Sequence, residues 1–288
     1  MRRSFTWALA SRTIQLGPRT LVMGVVNVTP DSFSDGGRYF EPGAAVEHAV
    51  RLLDEGADIL DIGGESTRPG SLAGSEPRVT AEEELRRIIP VIAALKRMRP
   101  DAVLSVDTYK AQVAREALGA GAEIVNDISG FGWDPEMSDA MSDAQCGVVL
   151  MHTRGLPQEW RSLPPLNDPL ETVKRELSAI AERALAAGVA RNRIVLDPGF
   201  GFGKILEQNQ PLLARLSELH ELGFPLLVGV SRKAFIRKLT GVSDPSDALA
   251  GSLAAAVIAA VHGAHIVRAH DVRETVQAMR IVDAVVSS

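Results

Sequence analysis

One cysteine, Cys146, stands among the 288 residues. A single thiol excludes an internal disulfide and a cysteine-rich zinc site, and it suits a reducing cytoplasm, the compartment expected for this chain. Cys146 itself reads as a small buried hydrophobe. Positive charge is not in excess either: 31 Lys and Arg against 36 Asp and Glu leave a net charge of −5. No broad basic surface is therefore on offer to nucleic acid, and any phosphate site has to be local. Long apolar runs are missing. The opening Met-Arg-Arg-Ser is not followed by an apolar segment of signal-peptide length, so no signal peptide is expected. The most apolar late stretch, residues 248–261, is too short and too rich in alanine to span a bilayer. No Gly-x-Gly-x-x-Gly follows the first apolar segment, which speaks against a dinucleotide fold.

What the chain does have is one grammar repeated eight times: a short apolar run, polar residues at its C-terminal end, then a helical pattern. The runs are residues 21–26, 57–62, 103–106, 124–125, 148–151, 194–196, 226–230 and 266–267. Residues 1–20 read as an extended lead-in or a short hairpin. Helices are expected around 46–53, from Thr80 with Glu83 completing a capping box, over 110–118, 135–144 and 171–187, around 212–219, and over 247–261 and 272–285. No linker or low-complexity segment divides them, so residues 1–288 read as one domain. Strand and helix in alternation predict a parallel sheet, and eight units in this length predict an α/β fold of the (β/α)8 TIM-barrel type with its site at the C-terminal strand ends. A doubly wound open sheet is the other architecture compatible with the pattern.

In such a barrel the strand ends open on one face. They collect Asn27, Glu65, Thr67, Arg68, Asp107, Asn126, His152, Asp197, Lys233, Arg268 and His270. Asp107, Asn126 and Asp197 offer acceptors and an amide suited to a flat heterocycle with amino and ring N–H groups. Lys233, Arg68, Arg268 and His270 offer positive donors suited to phosphate or carboxylate. The run Gly199-Phe-Gly-Phe-Gly-Lys204 is not a P-loop, because Pro198 and Ile205 occupy positions that need Gly and Ser or Thr. It reads as a tight turn that leaves Phe202 free to form an apolar wall. Residues 247–261 are apolar almost all round, which an outer barrel helix does not need, and this predicts a subunit interface.

The motifs taken together resemble one family. They are Asn-Val-Thr-Pro-Asp-Ser-Phe-Ser-Asp-Gly-Gly from Asn27, Gly-Gly-Glu-Ser-Thr-Arg-Pro-Gly from Gly63, Ser-Val-Asp-Thr from Ser105, Asn126-Asp127, Asp-Pro-Gly-Phe-Gly-Phe-Gly-Lys from Asp197, Ser231-Arg232-Lys233 and Arg268-Ala269-His270. In this order they are similar to dihydropteroate synthase, from about residue 21 to the last helix. The resemblance implies a (β/α)8 barrel and a transferase of folate biosynthesis. It joins 6-hydroxymethyl-7,8-dihydropterin diphosphate to 4-aminobenzoate, releasing 7,8-dihydropteroate and pyrophosphate with Mg²⁺ as cofactor. It implies that Asp107, Asn126, Asp197, Lys233 and Met151 bind the pterin, and that Asn27 ligates Mg²⁺. Asn27, Arg268 and His270 would hold the diphosphate. Phe33, Ser34, Asp35, Thr67, Arg68, Pro69 and Phe202 would shape two loops and the aminobenzoate pocket, and catalysis would fall to Lys233, Asp107, Arg268 and His270. The C–O bond would break largely before the amine attacks. A homodimer, sulfonamide inhibition and a cytoplasmic location are implied as well. Two departures stand out: Ala234 where many members carry a serine toward the aminobenzoate carboxylate, and a longer segment over 71–78. A reassigned paralogue, a corrinoid-dependent methyltransferase sharing the barrel, or a pterin-binding module are the other readings, and binding without turnover would mark the last.

Overall fold

The computed structural model describes residues 2–29, 42–67, 71, 73–74 and 79–286. An antiparallel hairpin, β1 (Phe5–Ala8) and β2 (Thr13–Leu16), precedes eight parallel strands. These are β3 (Leu21–Asn27), β4 (Ile59–Gly63), β5 (Val103–Asp107), β6 (Ile124–Asp127), β7 (Gly147–Met151), β8 (Ile194–Asp197), β9 (Leu227–Val228) and β10 (Ile266–Ala269). Their order is β8-β7-β6-β5-β4-β3-β10-β9, and a parallel bridge between Leu196 and Leu226 brings the two ends together. The sheet thus closes on itself as a (β/α)8 barrel, and the open-sheet alternative falls.

Around it lie α1 (Pro42–Asp54), α2 (Ala81–Met98), α3 (Ala111–Gly119), α4 (Met137–Ala144), α5 (Pro169–Ala186), α6 (Asn209–Ala214), α7 (Ala234–Thr240), α8 (Leu249–Val261) and α9 (Val272–Val286). Local chemistry sets several of their starts. The Thr80 hydroxyl accepts the Glu83 N–H at 3.2 Å, and Asp168 accepts Leu170 and Glu171 N–H at 3.0 and 3.2 Å ahead of Pro169. Only half of the expected capping box forms, because the Glu83 carboxylate turns to Arg87 at 2.9 Å. Among the described residues no single helix is long and apolar enough to cross a membrane.

Four elements differ from the sequence pattern. The seventh strand forms a ladder only over Leu227–Val228, with the single bridge at Leu226 before it, and the chain takes a positive φ of +59° at Arg232 beyond it. The seven-residue α7 was not expected; its apolar pair, Phe235 and Ile236, is too short a pattern to reveal a period. The helix expected from Asp247 starts as a 3-10 turn at Pro245–Ala248, and the one around 212–219 divides into α6 and a 3-10 segment, Leu216–Leu222.

The core has two parts. One lies between the outer face of the barrel and the helices. The other fills the N-terminal end of the barrel: Met23, Ile59, Val103, Ile124, Val149, Val195, Leu227 and Ile266 meet Trp7, Leu9 and Leu16 of the hairpin region. The Trp7 indole N–H donates to the Arg193 carbonyl at 2.8 Å, pinning this plug. Side chains alternate along a strand, so the residue two places on from each of these points inward again. There the lining changes character. Two residues past Ile59, Val103, Ile124, Val149, Val195 and Ile266 stand Asp61, Ser105, Asn126, Met151, Asp197 and Arg268. An apolar floor carries a polar layer, which sets the position of the site.

Candidate active site

Strand register aligns the polar groups. Asn27 pairs across to Gly63, Gly63 to Asp107, and Asp107 to Asn126, so these positions of four consecutive strands stand at one level. Met151 pairs with Asp197 on the opposite wall. The layer is wired through Asp61, which is fully buried. Its Oδ1 accepts Ser105 Oγ–H at 2.6 Å, while Oδ2 accepts Asn126 Nδ2–H at 2.9 Å and Arg268 Nε–H at 2.6 Å. Arg268 also donates through Nη2 to Asp107 Oδ2 at 2.8 Å. Sequence reasoning missed Asp61. The available signal was a charged residue in the middle of an otherwise apolar strand, where it is costly unless several donors meet it.

Burial dominates the electrostatics here. It pushes the Asp107 carboxyl upward against the pull of Arg268, with the charges of Asp61, Glu84 and Asp127 adding to the push. Asp197, 5% exposed, is pushed up to about 6 by burial, although the Gly199 N–H donates to it at 2.7 Å and Lys233 and Lys204 oppose the shift. Lys233 is lowered to about 8 by burial and by Arg268, with Asp197 and Asp107 acting the other way. Its ammonium sits 4.0 Å from the centre of the Phe202 ring, which in turn meets Trp160 edge-on at 5.0 Å. Phe202 thus stands between Trp160 and Lys233, with Lys233 against its face.

His270 departs from its expected role as a positive donor. Burial, with Arg268, Arg232 and Lys233 adding to it and Asp271 opposing, lowers it to about 3, which favours the uncharged imidazole near neutral pH. Its Nδ1 lies 3.0 Å from Ser231 Oγ, and the same oxygen accepts the His270 backbone N–H at 3.3 Å. Arg268, expected among the anion-binding cations, has its guanidinium between two carboxylates.

Two strand-end residues leave the mouth. His152 is buried with Nε2 2.8 Å from Glu176 of α5, toward the outer layer. Glu65 joins Tyr109, Lys110 and α2. Thr67 is described and half-buried beyond β4, whereas Arg68 and Pro69, like Phe33, Ser34 and Asp35, lie outside the described residues. Ala234 is exposed and opens α7, with Lys233 before it.

The glycine-rich run is a tight turn, as expected. Lys204 locks it, donating to the carbonyls of Gly199 at 2.7 Å and Phe202 at 3.2 Å. Its amine is spent on the backbone of its own loop and is not a phosphate ligand. Gly199 has φ +66°, and a Cβ there would stand 2.0 Å from the His152 carbonyl oxygen.

Comparison with known proteins agrees with this geometry. A family model described as "Pterin binding enzyme" matches residues 23–270. Dihydropteroate synthase of Escherichia coli strain K12 is 48% identical to the chain, over 93% of this chain and 92% of that protein. The chain belongs to the dihydropteroate synthases. Xanthomonas albilineans dihydropteroate synthase, solved with 4-aminobenzoic acid, matches with a TM-score of 0.90 and 46% identity over 99% of this chain and 100% of that one. Yersinia pestis dihydropteroate synthase, solved in complex with a sulfonamide drug, matches at 0.89 and 47% over 98% and 99%. As a member of this transferase family, the chain condenses 6-hydroxymethyl-7,8-dihydropterin diphosphate with 4-aminobenzoate, giving 7,8-dihydropteroate and pyrophosphate in folate biosynthesis.

Proposed function

We propose that the barrel mouth divides this condensation among its polar layer as follows. Asp107, Asn126, Asp197 and Lys233 hold the pterin ring above the apolar floor, with Met151 against its face. The observation that carries this is the switch, two residues along β4, β5, β6, β8 and β10, from apolar lining to a layer of carboxylates, hydroxyl, amide and cation. Carboxylates accept the amino and ring N–H groups of the pterin. Burial of those carboxylates removes water that would compete for them.

Arg268, His270 and Asn27 face the diphosphate. The Arg268 cation offsets the charge that grows on the leaving oxygen as the C–O bond breaks. With the Ser231 hydroxyl proton given to Nδ1, His270 carries its ring proton on Nε2 and donates one neutral hydrogen bond. Asn27 would hold Mg²⁺, and its chemistry fits that ion. Among the described residues no group of three or more His, Cys, Asp or Glu could cage a metal, and the Asn27 amide oxygen is a hard donor of the type Mg²⁺ takes alongside phosphate oxygens and water. When bound there, the ion would neutralise diphosphate oxygens.

No covalent enzyme intermediate is required. Cys146 precedes β7, at the far end from the mouth, and burial pushes its thiol up to about 12. The bond that forms joins the arylamine nitrogen to the pterin methylene carbon, and the bond that breaks joins that carbon to the diphosphate. Phe202, Lys233 and Thr67 border the 4-aminobenzoate, while the other residues expected there, Phe33, Ser34, Asp35, Arg68 and Pro69, lie outside the described residues. Sulfonamides share its arylamine and compete for the same pocket, in keeping with the drug-bound Yersinia relative. Holding the two substrates in line supplies much of the rate.

The working unit is a homodimer. On α8, Ser252, Ala255, Ala256, Ala259 and Ala260 face the barrel, while Ala250, Ala254, Ile258 and Val261 are exposed. Ile258 is 42% and Val261 55% exposed, and Ile281 and Val285 of the adjacent α9 are 69% and 67% exposed. A second copy is the partner that this apolar surface suits.

The test is pyrophosphate release from the dihydropterin diphosphate, with and without 4-aminobenzoate and Mg²⁺. Release that needs Mg²⁺ and yields dihydropteroate supports the reading. Pterin binding with no product would sink it.

A further inference from the structure

The segment between β4 and α2 carries Thr67, and its two stems meet at one side chain. Gly74 N–H donates to the Tyr109 hydroxyl oxygen at 3.1 Å, and that hydroxyl donates to Glu65 Oε2 at 3.0 Å. Glu65 stands two residues before Thr67, and Gly74 stands after it. Tyr109 itself is two residues beyond Asp107, on the rim that follows β5.

The surroundings hold this junction rigid. Lys110 Nζ donates to Glu65 Oε2 and to Glu84 Oε2 of α2, each at 2.5 Å. The side chains of Lys110, Glu65 and Glu84 are only 10%, 7% and 1% exposed, so the three groups are held against one another out of water. Arg87 of α2 donates to the Gly64 carbonyl at 2.7 Å, fixing the backbone just before Glu65. On the other stem, a Cβ at Gly74 would lie 2.7 Å from Trp133 Cε3 and 2.9 Å from Leu156 Cδ2, so the backbone is seated directly on those two side chains. The Tyr109 ring meets Trp133 edge-on at 5.1 Å. Burial pushes the Tyr109 phenol up to about 12, so it stays protonated and able to donate to Glu65. None of these groups has a part in binding or chemistry as assigned above.

We propose that Tyr109 is a positioning residue of the condensation: by joining Glu65 to Gly74 its hydroxyl sets where Thr67 stands beside the 4-aminobenzoate. The inference rests on the proposed place of Thr67 in that pocket. It predicts an effect confined to one substrate, because the pterin contacts come from strand ends that Tyr109 does not touch.

Tyr109→Phe tests it, since the ring and its packing on Trp133 remain. The KM for 4-aminobenzoate is expected to rise about fivefold as both hydrogen bonds of the hydroxyl are lost. The KM for the dihydropterin diphosphate and the thermal midpoint stay near wild type. Combined with Thr67→Ala, the effects on the 4-aminobenzoate KM are expected to be less than multiplicative, because both act through one contact. A lower thermal midpoint with an unchanged 4-aminobenzoate KM would make the role structural and overturn the inference. So would equal rises in both KM values, or strictly multiplicative effects in the double variant. Failure of the underlying reading looks different: Thr67→Ala alone would leave the 4-aminobenzoate KM at its wild-type value.

Discussion

The guanidinium of Arg268 lies with Nε 2.6 Å from Asp61 Oδ2, in the centre of the barrel where Asp61 has no contact with solvent. The same carboxylate holds Ser105 and Asn126, and the same guanidinium holds Asp107, so the pair organises the whole polar layer. Asp61→Ala leaves part of a buried cation and a buried amide unpaired. The expected cost is about 3–5 kcal/mol of folding stability, read by urea unfolding. Arg268→Lys keeps the charge but cannot bridge two carboxylates with a planar fork. It is expected to lower kcat/KM at least about 100-fold, roughly 3 kcal/mol of transition-state stabilisation, while the protein stays folded. Near-wild-type turnover in this variant would remove Arg268 from the chemistry.

Gly199→Ala is expected to cost about 3 kcal/mol or more, since φ of +66° and a carbonyl oxygen 2.0 Å from the new Cβ both oppose it. The turn also sets Phe202 against Lys233, so the KM for 4-aminobenzoate should rise with the loss of stability. Thermal unfolding and steady-state kinetics on the same preparation check both. A stable variant with an unchanged KM would show that the turn is not tightly seated.

His265 links stability to pH. Burial lowers it to about 4, with the neighbouring His220 and Arg2 adding to the shift and the Arg3 carbonyl opposing it. The neutral ring accepts the Leu226 N–H at Nδ1, 3.0 Å away, and donates from Nε2 to the Arg3 carbonyl at 2.8 Å. An unfolded histidine takes up its proton near pH 6.5, whereas the folded one waits until about 4. Its contribution is therefore complete above pH 6.5 and is lost as pH falls toward 4. Asp127 and Asp197, both pushed up to about 6 by burial, carry the opposite sign: their contribution is present at low pH and lost as pH rises through about 6. Comparison with His265→Gln isolates the histidine. The wild-type advantage over that variant should be about 2 kcal/mol smaller at pH 5 than at pH 7.5. An advantage that does not change with pH would contradict this assignment.

The exposed apolar face of α8 predicts the oligomeric state. Wild-type protein should sediment as a dimer at micromolar concentration, and Ile258→Arg as a folded monomer. A wild-type monomer under those conditions would end the dimer reading.

Much of this molecule is legible along the chain. Eight apolar runs, each ending in polar residues and followed by a helical period, specify the barrel and say which residues stand at its mouth, because side-chain direction follows from a two-residue period that needs no tertiary information. The motif residues Asn27, Asp107, Asn126, Asp197, Lys233 and Arg268 could be named for the same reason. Partnership could not. Asp61 lies mid-strand in chain order, and only barrel closure places it within reach of Arg268, which is 207 residues away. His152 and Glu65 end strands as Asp107 does, yet they turn outward to Glu176 and to Lys110. His270 is a potential cation in sequence and a neutral ring in place, because its charge depends on how much water the folded mouth excludes and on Arg232 and Lys233, brought from another segment to join Arg268 beside it. Periodicity is local and survives in one dimension; burial and electrostatic coupling exist only once distant strands share one interior.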